Sequence, residues 1–247
     1  MTLLAVENLE KSFAGVNAVA GVSFALEAGE ILAMIGPNGA GKSTCFNMLN
    51  GQLRPDGGKI VLAGADITGL PPRAVWRLGV GRSFQVAAIF SSMTVRENVQ
   101  MALISHARDV WRFFRAATAL HRERAEQLLA RLGMEDQAER PAGKLAYGDL
   151  KRLELAIALA NEPKLLLMDE PTAGMAPAER AQLMALVRRL ATEKNLAVLF
   201  TEHDMDVVFV TADRIVVLDR GKLIAEGTPA AIRADKRVRA VYLGEGF

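Results

Sequence analysis

Short apolar runs alternate with turn residues over the first part of the chain. Val22, Phe24 and Leu26 recur at every second position, which is the period of a strand with one exposed face. Residues 31–35 form one unbroken apolar run after a turn at 28–30, which is typical of a strand in a parallel sheet covered on both faces. A glycine-rich stretch and a helical stretch closed by Gly51 come next. The local order is therefore strand, glycine loop, helix.

The pattern becomes helical in the middle of the chain. Before this change, residues 59–67 predict a second strand pair. From about Ser91 the apolar period is helical, and Thr94 and Glu97 have the spacing of a capping box, in which each side chain satisfies a free backbone N–H of the first turn. The helical pattern ends near Pro163, so a helical insert interrupts the strand-rich sequence.

The alternation of strands and helices then returns. Residues 165–168 and 196–201 predict buried strands, and residues 214–229 predict a hairpin around a turn at 219–221. We therefore predict an α/β fold with a mostly parallel sheet, an antiparallel β subdomain and an inserted α-helical subdomain. The predicted organisation is a single domain over 1–247, with a core formed by 1–90 and 163–247 and a helical subdomain over about 91–162.

Composition and charge exclude several classes of protein. The chain has 247 residues, of which 51% are hydrophobic, so it can bury a sizeable core without disulfides or metal. Its one cysteine, Cys45, excludes an internal disulfide, and three histidines argue against a structural zinc site. Thirty basic and 28 acidic residues leave a net charge of +2, which argues against a nucleic-acid partner. Cys45 is expected to be an inert buried thiol, although a helix amino end could lower its pKa.

Targeting patterns are also missing from the sequence. The first residues include Glu7 and Glu10 and lack the regions of a signal peptide, and no apolar run reaches the ~18 residues of a membrane-spanning helix. These patterns predict a cytosolic chain whose membrane role, if it has one, is peripheral. The aromatic and basic stretch around Trp111, Phe113 and Phe114 favours a solvated helical face over a contact with lipid headgroups or a membrane subunit.

The strongest chemical signal is the stretch 36–43, which fits G-x-x-x-x-G-K-[ST] between a predicted strand and a predicted helix. Its glycines let the backbone approach phosphate oxygens, and its N–H groups and the helix amino end attract anions. Lys42 is expected to reach the β and γ phosphates, and the Ser43 hydroxyl to bind Mg²⁺. We therefore predict a P-loop ATPase core that uses ATP and Mg²⁺. The expected nucleotide-binding residues are Gly36, Pro37, Asn38, Gly39, Ala40, Gly41, Lys42, Ser43 and the following Thr44.

Two carboxylates follow the buried strand at 165–168. Asp169 and Glu170 come at its carboxyl end, which is the edge where α/β sheets bind ligands. Asp169 suits the shell of Mg²⁺, and Glu170 suits a base that polarises water for attack on the γ phosphate. The simpler alternative is an acidic exit from the strand.

These motifs, in this order, resemble the ATP-binding cassette subunits of ABC transporters over essentially the whole chain. The resemblance implies further roles: Gln85 resembles the glutamine-loop residue that contacts Mg²⁺ or the attacking water, and His203 in 201–204 resembles the switch histidine that bonds the γ phosphate. Phe13 lies where the family stacks an aromatic ring on adenine, but a core position is equally plausible by pattern. The expected catalytic residues are Glu170, His203, Lys42 and Gln85, and the expected Mg²⁺ ligands are Ser43, Gln85 and Asp169.

The resemblance includes the family signature, most often written L-S-G-G-Q, at 145–149. By analogy these residues face the γ phosphate held by a second subunit. Ala146 lacks the serine hydroxyl, Asp149 replaces the glutamine, and Ala176 replaces the aspartate of the intersubunit loop. The expected signature residues are Leu145, Ala146, Tyr147, Gly148 and Asp149.

Within this family the chain is most similar to the ATPases of branched-chain amino acid importers, as the stretches 145–156, 201–208 and 227–245 indicate. That resemblance implies a homodimer or a heterodimer with a related ATPase, two transmembrane permease subunits, and a periplasmic solute-binding protein that acts indirectly. The expected location is the cytoplasmic face of the inner membrane. Two alternatives stay open: an exporter ATPase for lipid or lipopolysaccharide, and a soluble nucleotide-binding scaffold without a permease.

Overall fold

The structure is a computed structural model that describes residues 1–83, 89–107 and 120–243. Within these residues the strands are β1 (Thr2–Phe13), β2 (Val16–Glu27), β3 (Ile31–Ile35), β4 (Gly57–Leu62), β5 (Ala65–Asp66), β6 (Val80–Ser83), β7 (Leu165–Asp169), β8 (Ala197–Thr201), β9 (Arg214–Asp219) and β10 (Lys222–Gly227). The α-helices are α1 (Lys42–Leu49), α2 (Pro72–Arg77), α3 (Val95–Ala107), α4 (Arg122–Arg131), α5 (Tyr147–Leu159), α6 (Pro177–Lys194), α7 (Met205–Thr211), α8 (Pro229–Ala234) and α9 (Lys236–Val238). Short 3₁₀ helices cover Glu135–Gln137 and Ala142–Lys144, and a π-helical turn covers Arg239–Leu243.

The described strands form two sheets. A four-stranded sheet has the order β2-β1-β4-β5 with antiparallel neighbours, and a six-stranded sheet has the order β10-β9-β3-β8-β7-β6. Every neighbour pair of the second sheet is parallel except β9 with β10, which form a hairpin. Its turn residues Arg220 and Gly221 have φ of 45° and 77°, the left-handed pair that suits a tight hairpin. The predicted α/β fold, with a mostly parallel sheet and an antiparallel β subdomain, is confirmed.

The unbroken apolar strands are covered on both faces. In β3, Ile31, Ala33 and Ile35 pack in one hydrophobic cluster with the helices, while Leu32 and Met34 pack in the other with the four-stranded sheet and α1. Because successive side chains of a strand point to opposite faces, a strand between two clusters must be apolar at every position. The six-stranded sheet is therefore a rigid middle layer, and its strand ends hold the polar side chains described below.

Helices α3, α4 and α5 pack together beside this sheet. Each contributes a buried residue to the same hydrophobic cluster: Val99, Leu129 and Leu153, respectively. The predicted capping box begins α3: the Glu97 N–H donates to Thr94 Oγ1 at 3.1 Å, and the Thr94 N–H donates to Glu97 Oε2 at 2.8 Å. The aromatic stretch with Trp111, Phe113 and Phe114 lies outside the described residues. Among the helices of the described ranges, none is both long and apolar enough to cross a membrane.

Candidate active site

The glycine-rich loop lies between β3 and α1, as predicted. Gly41 has φ of 103°, and a Cβ there would lie 2.3 Å from the carbonyl oxygen of Ala18, so only glycine fits. Backbone hydrogen bonds hold the loop: the Ala40 N–H donates to the Pro37 carbonyl at 3.1 Å, and the Gly221 N–H of the hairpin turn donates to the Ala40 carbonyl at 3.0 Å. The loop is thus tied to the six-stranded sheet beside the first turn of α1.

Lys42 begins α1 and is buried, with 8% of its surface exposed. Its ammonium donates to the carbonyl oxygens of Gly36 at 2.6 Å and Pro37 at 3.1 Å, so the loop curls around the positive charge. Burial lowers the pKa of Lys42, and the negative charges of Glu170 and Asp169 partly oppose this shift. The structure therefore brings together the lysine of the loop and the two carboxylates at the end of β7. Ser43 is exposed and Thr44 is half-buried on the same turn.

Asp169 is the last residue of β7 and pairs with Thr201, the last residue of β8. The Thr201 hydroxyl donates to Asp169 Oδ1 at 2.7 Å. At the end of β6, Arg82 Nη2 lies 3.5 Å from Asp169 Oδ2. Three neighbouring strands therefore end at one polar edge, because the strands are parallel and in register. Burial lowers the pKa of the Arg82 guanidinium, and Asp169 partly opposes that shift.

Glu170 and His203 meet at this edge. Glu170 Oε1 lies 3.0 Å from His203 Nε2, and the Glu170 N–H donates to the Thr201 carbonyl at 3.1 Å. Glu170 has φ of 49°, a left-handed conformation that non-glycine residues adopt at a cost and that recurs at functional sites. Both side chains retain contact with solvent, with 27% of Glu170 and 47% of His203 exposed. This carboxylate can accept a proton from water, and the imidazole can donate a hydrogen bond to an anion.

The residues expected to bind Mg²⁺ supply oxygen donors only. Ser43 offers a hydroxyl and Asp169 a carboxylate, which suits a hard cation that keeps several waters and binds substrate phosphates. Across the described ranges there is no cluster of three or more histidine, cysteine, aspartate or glutamate side chains with metal-binding geometry. The described donors fit a cation shared with a nucleotide. Gln85, the third expected ligand, lies outside the described residues.

The signature residues lie at the start of α5 and contact the loop that follows Glu170. The Tyr147 hydroxyl donates to the Ala173 carbonyl at 3.0 Å, and a Cβ on Gly148 would lie 3.1 Å from the carboxylate of Glu179. Asp149 accepts a hydrogen bond from Gln137 Nε2 at 2.7 Å, so its carboxylate is held within its own chain. Ala146 is exposed and caps α5 without a side-chain hydrogen bond, while Leu145 packs against the core.

Two of the alternatives left open by the sequence are decided by burial. Phe13 is 47% exposed, so a core position for this ring is wrong. Its only described cation–π contact is with Lys11, whose ammonium lies 5.8 Å from the ring centroid. Cys45 is fully buried, and burial raises its pKa to about 12. A helix amino end that lowers the thiol pKa is therefore also wrong.

Sequence reasoning missed two acidic residues at this edge, of which Glu202 is buried and Asp204 is partly exposed. Glu202 lies inside the 201–204 motif, and its carboxylate accepts hydrogen bonds from the backbone and the hydroxyl of Thr172, both at 2.7 Å. The sequence does not show which backbone N–H groups an acidic side chain at a strand end will contact. The only signal for Glu202 was its acidic side chain next to His203. Asp204 lies in the same motif, caps α7 and forms an ion pair with Arg180.

Comparisons with known proteins agree with this geometry. The family model for the ABC transporter matches residues 19–173, and the model for the branched-chain amino acid ATP-binding cassette transporter matches residues 222–247. The chain is 41% identical over 250 residues to the high-affinity branched-chain amino acid transport ATP-binding protein LivG of Salmonella typhimurium, with 98% of each chain covered. BraF of Pseudomonas aeruginosa is equally similar. The lipopolysaccharide export ATP-binding protein LptB of Haemophilus influenzae is 36% identical, with 100% of this chain and 99% of LptB covered.

Solved structures lead to the same family. The ADP conformation of MJ1267, an ATP-binding cassette of an ABC transporter, has a TM-score of 0.88 and 32% identity over 99% of this chain and 100% of that one. A dimeric, post-hydrolysis structure of the cassette MJ0796 with ADP and Pi has a TM-score of 0.78 and 25% identity over 92% of this chain and 99% of that one. A glycine-rich loop before a helix, a carboxylate edge and full-length similarity thus coincide in one chain. The protein belongs to the ABC transporter family, as an ATP-binding subunit that hydrolyses ATP.

Proposed function

We propose that this chain powers an importer that takes up branched-chain amino acids. The observation that carries this proposal is the full-length similarity to LivG and BraF, which are named for transport of these solutes. The match of residues 222–247 to the branched-chain amino acid cassette model supports the same subgroup, because this segment lies outside the 19–173 region shared with ABC transporters in general.

The proposed site binds ATP through the loop at 36–43 and Thr44. Lys42 exchanges the carbonyl oxygens of Gly36 and Pro37 for the β and γ phosphates, since its ammonium already lies in the curve of the loop. Phe13 is exposed at the end of β1 and stacks on the adenine. Ser43, Asp169 and Gln85 hold Mg²⁺, which when bound offsets the charge of the phosphates.

Glu170 is proposed as the base and His203 as the residue that bonds the γ phosphate. Their 3.0 Å contact places the carboxylate and the imidazole close enough to act on one water and one phosphate. Glu170 polarises the water by accepting its hydrogen bond, and His203 donates a hydrogen bond to the phosphoryl oxygen. Gln85 completes the proposed catalytic set.

Two copies, or this chain and a related ATPase, are proposed to close around two nucleotides. The residues at 145–149 would then contact the nucleotide of the partner chain. The dimeric solved structures of the cassette MJ0796, to which this chain is similar, support this arrangement. We propose that 1–90 and 163–247 act as the nucleotide-binding core and that about 91–162 acts as the helical subdomain. Two transmembrane permease subunits, docked near Gln85 and the helical subdomain, would transmit this closure.

The proposed location is peripheral, on the cytoplasmic face of the inner membrane, with a periplasmic solute-binding protein that supplies the permease. Such a complex is tested by purifying the tagged chain from its native membranes in mild detergent and identifying stoichiometric partners. Two permease chains, with nucleotide hydrolysis stimulated by a binding protein loaded with leucine, isoleucine or valine, are the expected result. Soluble partners alone would contradict the transporter assignment and favour a scaffold.

Similarity to LptB supports a second candidate, an ATPase that exports lipopolysaccharide. The chemistry of ATP hydrolysis would be the same, and only the permease would differ. Recovery of permease chains that bind lipopolysaccharide, with no stimulation by a solute-binding protein, would favour this export function over import.

A further inference from the structure

Glu202 is a buried carboxylate at the catalytic edge that none of the roles above uses. Only 3% of its surface is exposed, and its Oε1 accepts hydrogen bonds from the backbone N–H and the hydroxyl of Thr172, both at 2.7 Å. Its Oε2 accepts from the His203 N–H at 3.2 Å. Hydrogen bonds to an ionised carboxylate are shorter and stronger than those between neutral groups.

These donors offset the charge of Glu202 in place of a cation. Two arginines at this edge pair with other carboxylates: Arg82 with Asp169 and Arg180 with Asp204. A buried carboxylate is costly unless hydrogen bonds satisfy it, so the contact with Thr172 is strongly favoured over alternatives that leave the charge without donors. The contact between Glu202 and Thr172 therefore constrains the positions of the two backbone segments that carry these residues.

Those two segments carry the proposed base and the proposed switch histidine. Thr172 is 1% exposed and lies two residues after Glu170, in a turn where the Ala173 N–H donates to the Glu170 carbonyl at 3.2 Å. Glu202 directly precedes His203. The bond between Thr172 and Glu202 thus joins the backbone beyond Glu170 to the backbone before His203.

This clamp also explains how Glu170 keeps its left-handed conformation, with φ of 49°. Strained backbone persists only where the surroundings fix it from several sides. On one side of Glu170, the Thr201 carbonyl accepts from its N–H at 3.1 Å. On the other side, Thr172 is held by Glu202 through two bonds.

We propose that Glu202 and Thr172 are positioning residues for ATP hydrolysis, which hold the Glu170 carboxylate and the His203 imidazole at their 3.0 Å contact. The inference rests on the proposed roles of Glu170 and His203. It assigns no contact between Glu202 and the nucleotide, because Glu202 is buried and its carboxylate oxygens accept from Thr172 and the His203 N–H.

The test compares hydrolysis of MgATP by full-length variants in the same purified transporter complex. Thr172→Val keeps the shape of the side chain and the backbone bond but removes the hydroxyl donor. We expect kcat to fall about tenfold while KM for ATP stays within about twofold, because small misplacements of catalytic groups affect the chemical step. Thr172→Ser restores the hydroxyl and is expected to recover most of kcat.

Thr68→Val is the matched control. The Thr68 hydroxyl accepts from the Ile60 N–H at 2.8 Å, so its loss removes one hydroxyl hydrogen bond at a partly buried position that has no part in the proposed site. Both valine variants should lower the thermal midpoint, but only Thr172→Val should lower kcat. A purely structural role for Thr172 would give a loss of stability with an unchanged kcat.

Glu202→Gln tests the other half of the clamp. Its amide keeps one oxygen acceptor but turns an NH₂ group toward a backbone donor, so kcat should fall by at least as much as in Thr172→Val. In the double variant the two losses should not multiply, since both changes break one contact. Multiplying losses, or a kcat within about twofold of wild type in both single variants, would overturn the clamp.

Failure of this inference differs from failure of the proposed roles. If Glu170→Gln and His203→Ala abolish turnover while Thr172→Val and Glu202→Gln do not, only the positioning role is wrong. If Glu170→Gln and His203→Ala hydrolyse ATP at the wild-type rate, the proposed base and switch residue are wrong as well.

Discussion

Burial and helix position act on the Cys45 thiol in opposite directions. Cys45 lies on the first turn of α1, where the helix amino end favours a thiolate, but the side chain is fully buried among apolar residues. Burial is the larger effect and raises the thiol pKa to about 12. The residue therefore packs as a small hydrophobic side chain.

Cys45 should accordingly resist thiol reagents in the folded protein. With a pKa of about 12, the thiolate is a minute fraction of the population at pH 8, and the sulfur is also inaccessible. An aromatic disulfide reagent should release no colour from the native chain over minutes and about one equivalent after unfolding in urea. A stoichiometric reaction of the native protein would contradict the burial of this thiol.

How much of the site the sequence predicts depends on the range of each contact. Asp169 and His203 could be placed at one edge because each follows an apolar strand, and parallel strands end on the same side of a sheet. The bond of Glu202 with Thr172 could not, because it joins positions 30 residues apart and nothing local specifies it. The exposure of Phe13 could not be predicted from the sequence either, because an apolar period does not show which strands lack a covering layer.

At the scale of elements, α5 carries a buried ion pair close to the signature. Lys151 Nζ lies 3.1 Å from Glu154 Oε2, one turn along the helix, and the two side chains are 6% and 8% exposed. Burial raises the pKa of Glu154, and Lys151 partly opposes this shift. Lys151 Nζ also lies 5.4 Å from the centroid of the Tyr147 ring, so the pair borders the signature.

Breaking this pair on one side should cost far more stability than replacing both residues. We expect Lys151→Met to lower the free energy of unfolding by about 3–5 kcal/mol, because it leaves a buried carboxylate without its cation. The double change Lys151→Met with Glu154→Leu should recover most of that loss. Urea unfolding of wild type, Lys151→Met, Glu154→Leu and the double variant measures the cycle.

An exposed pair provides the control for this cycle. Arg124 Nη2 lies 2.9 Å from Glu162 Oε1, and the two side chains are 44% and 77% exposed. Arg124→Met should cost about 1 kcal/mol or less, since solvent screens surface ion pairs. A loss in Lys151→Met no larger than in Arg124→Met would show that the α5 pair is not effectively buried.

The elements themselves were largely predictable, because their apolar periods are long and regular. The run at 31–35 became β3 between two hydrophobic clusters, and the capping box at Thr94 and Glu97 begins α3 as expected. Strand order was not predictable, since β3 pairs with β8 and β9, which follow it by more than 160 residues. Such pairings depend on the whole sheet.

At the scale of the whole molecule, the signature side chains bond other segments of the same chain. Among the described residues, the side-chain hydrogen bonds of Tyr147 and Asp149 go to Ala173 and Gln137. Residues 145–149 are thus tied to the segment after Glu170, and their exposed surface is available to a second chain. In the proposed dimer, this tie connects the catalytic loop of one site with the signature of the other.

Nucleotide should therefore drive association when hydrolysis is blocked. Glu170→Gln is expected to run as a dimer in size-exclusion chromatography with light scattering at saturating MgATP, and as a monomer when nucleotide is omitted. The control Glu170→Gln with Lys42→Ala should stay monomeric, because it loses the ammonium that binds the phosphates. A monomeric Glu170→Gln with bound MgATP would contradict the shared site.

The most direct test of the central claim measures ATP binding and turnover separately in two single variants. Glu170→Gln should bind ATP with wild-type affinity and lose turnover, because the amide cannot accept a proton from water. Lys42→Ala should weaken ATP binding roughly 10- to 100-fold, since hydrogen bonds to charged groups contribute roughly 1.5–3 kcal/mol. Full turnover by purified Glu170→Gln would contradict the assignment of Glu170 as the base.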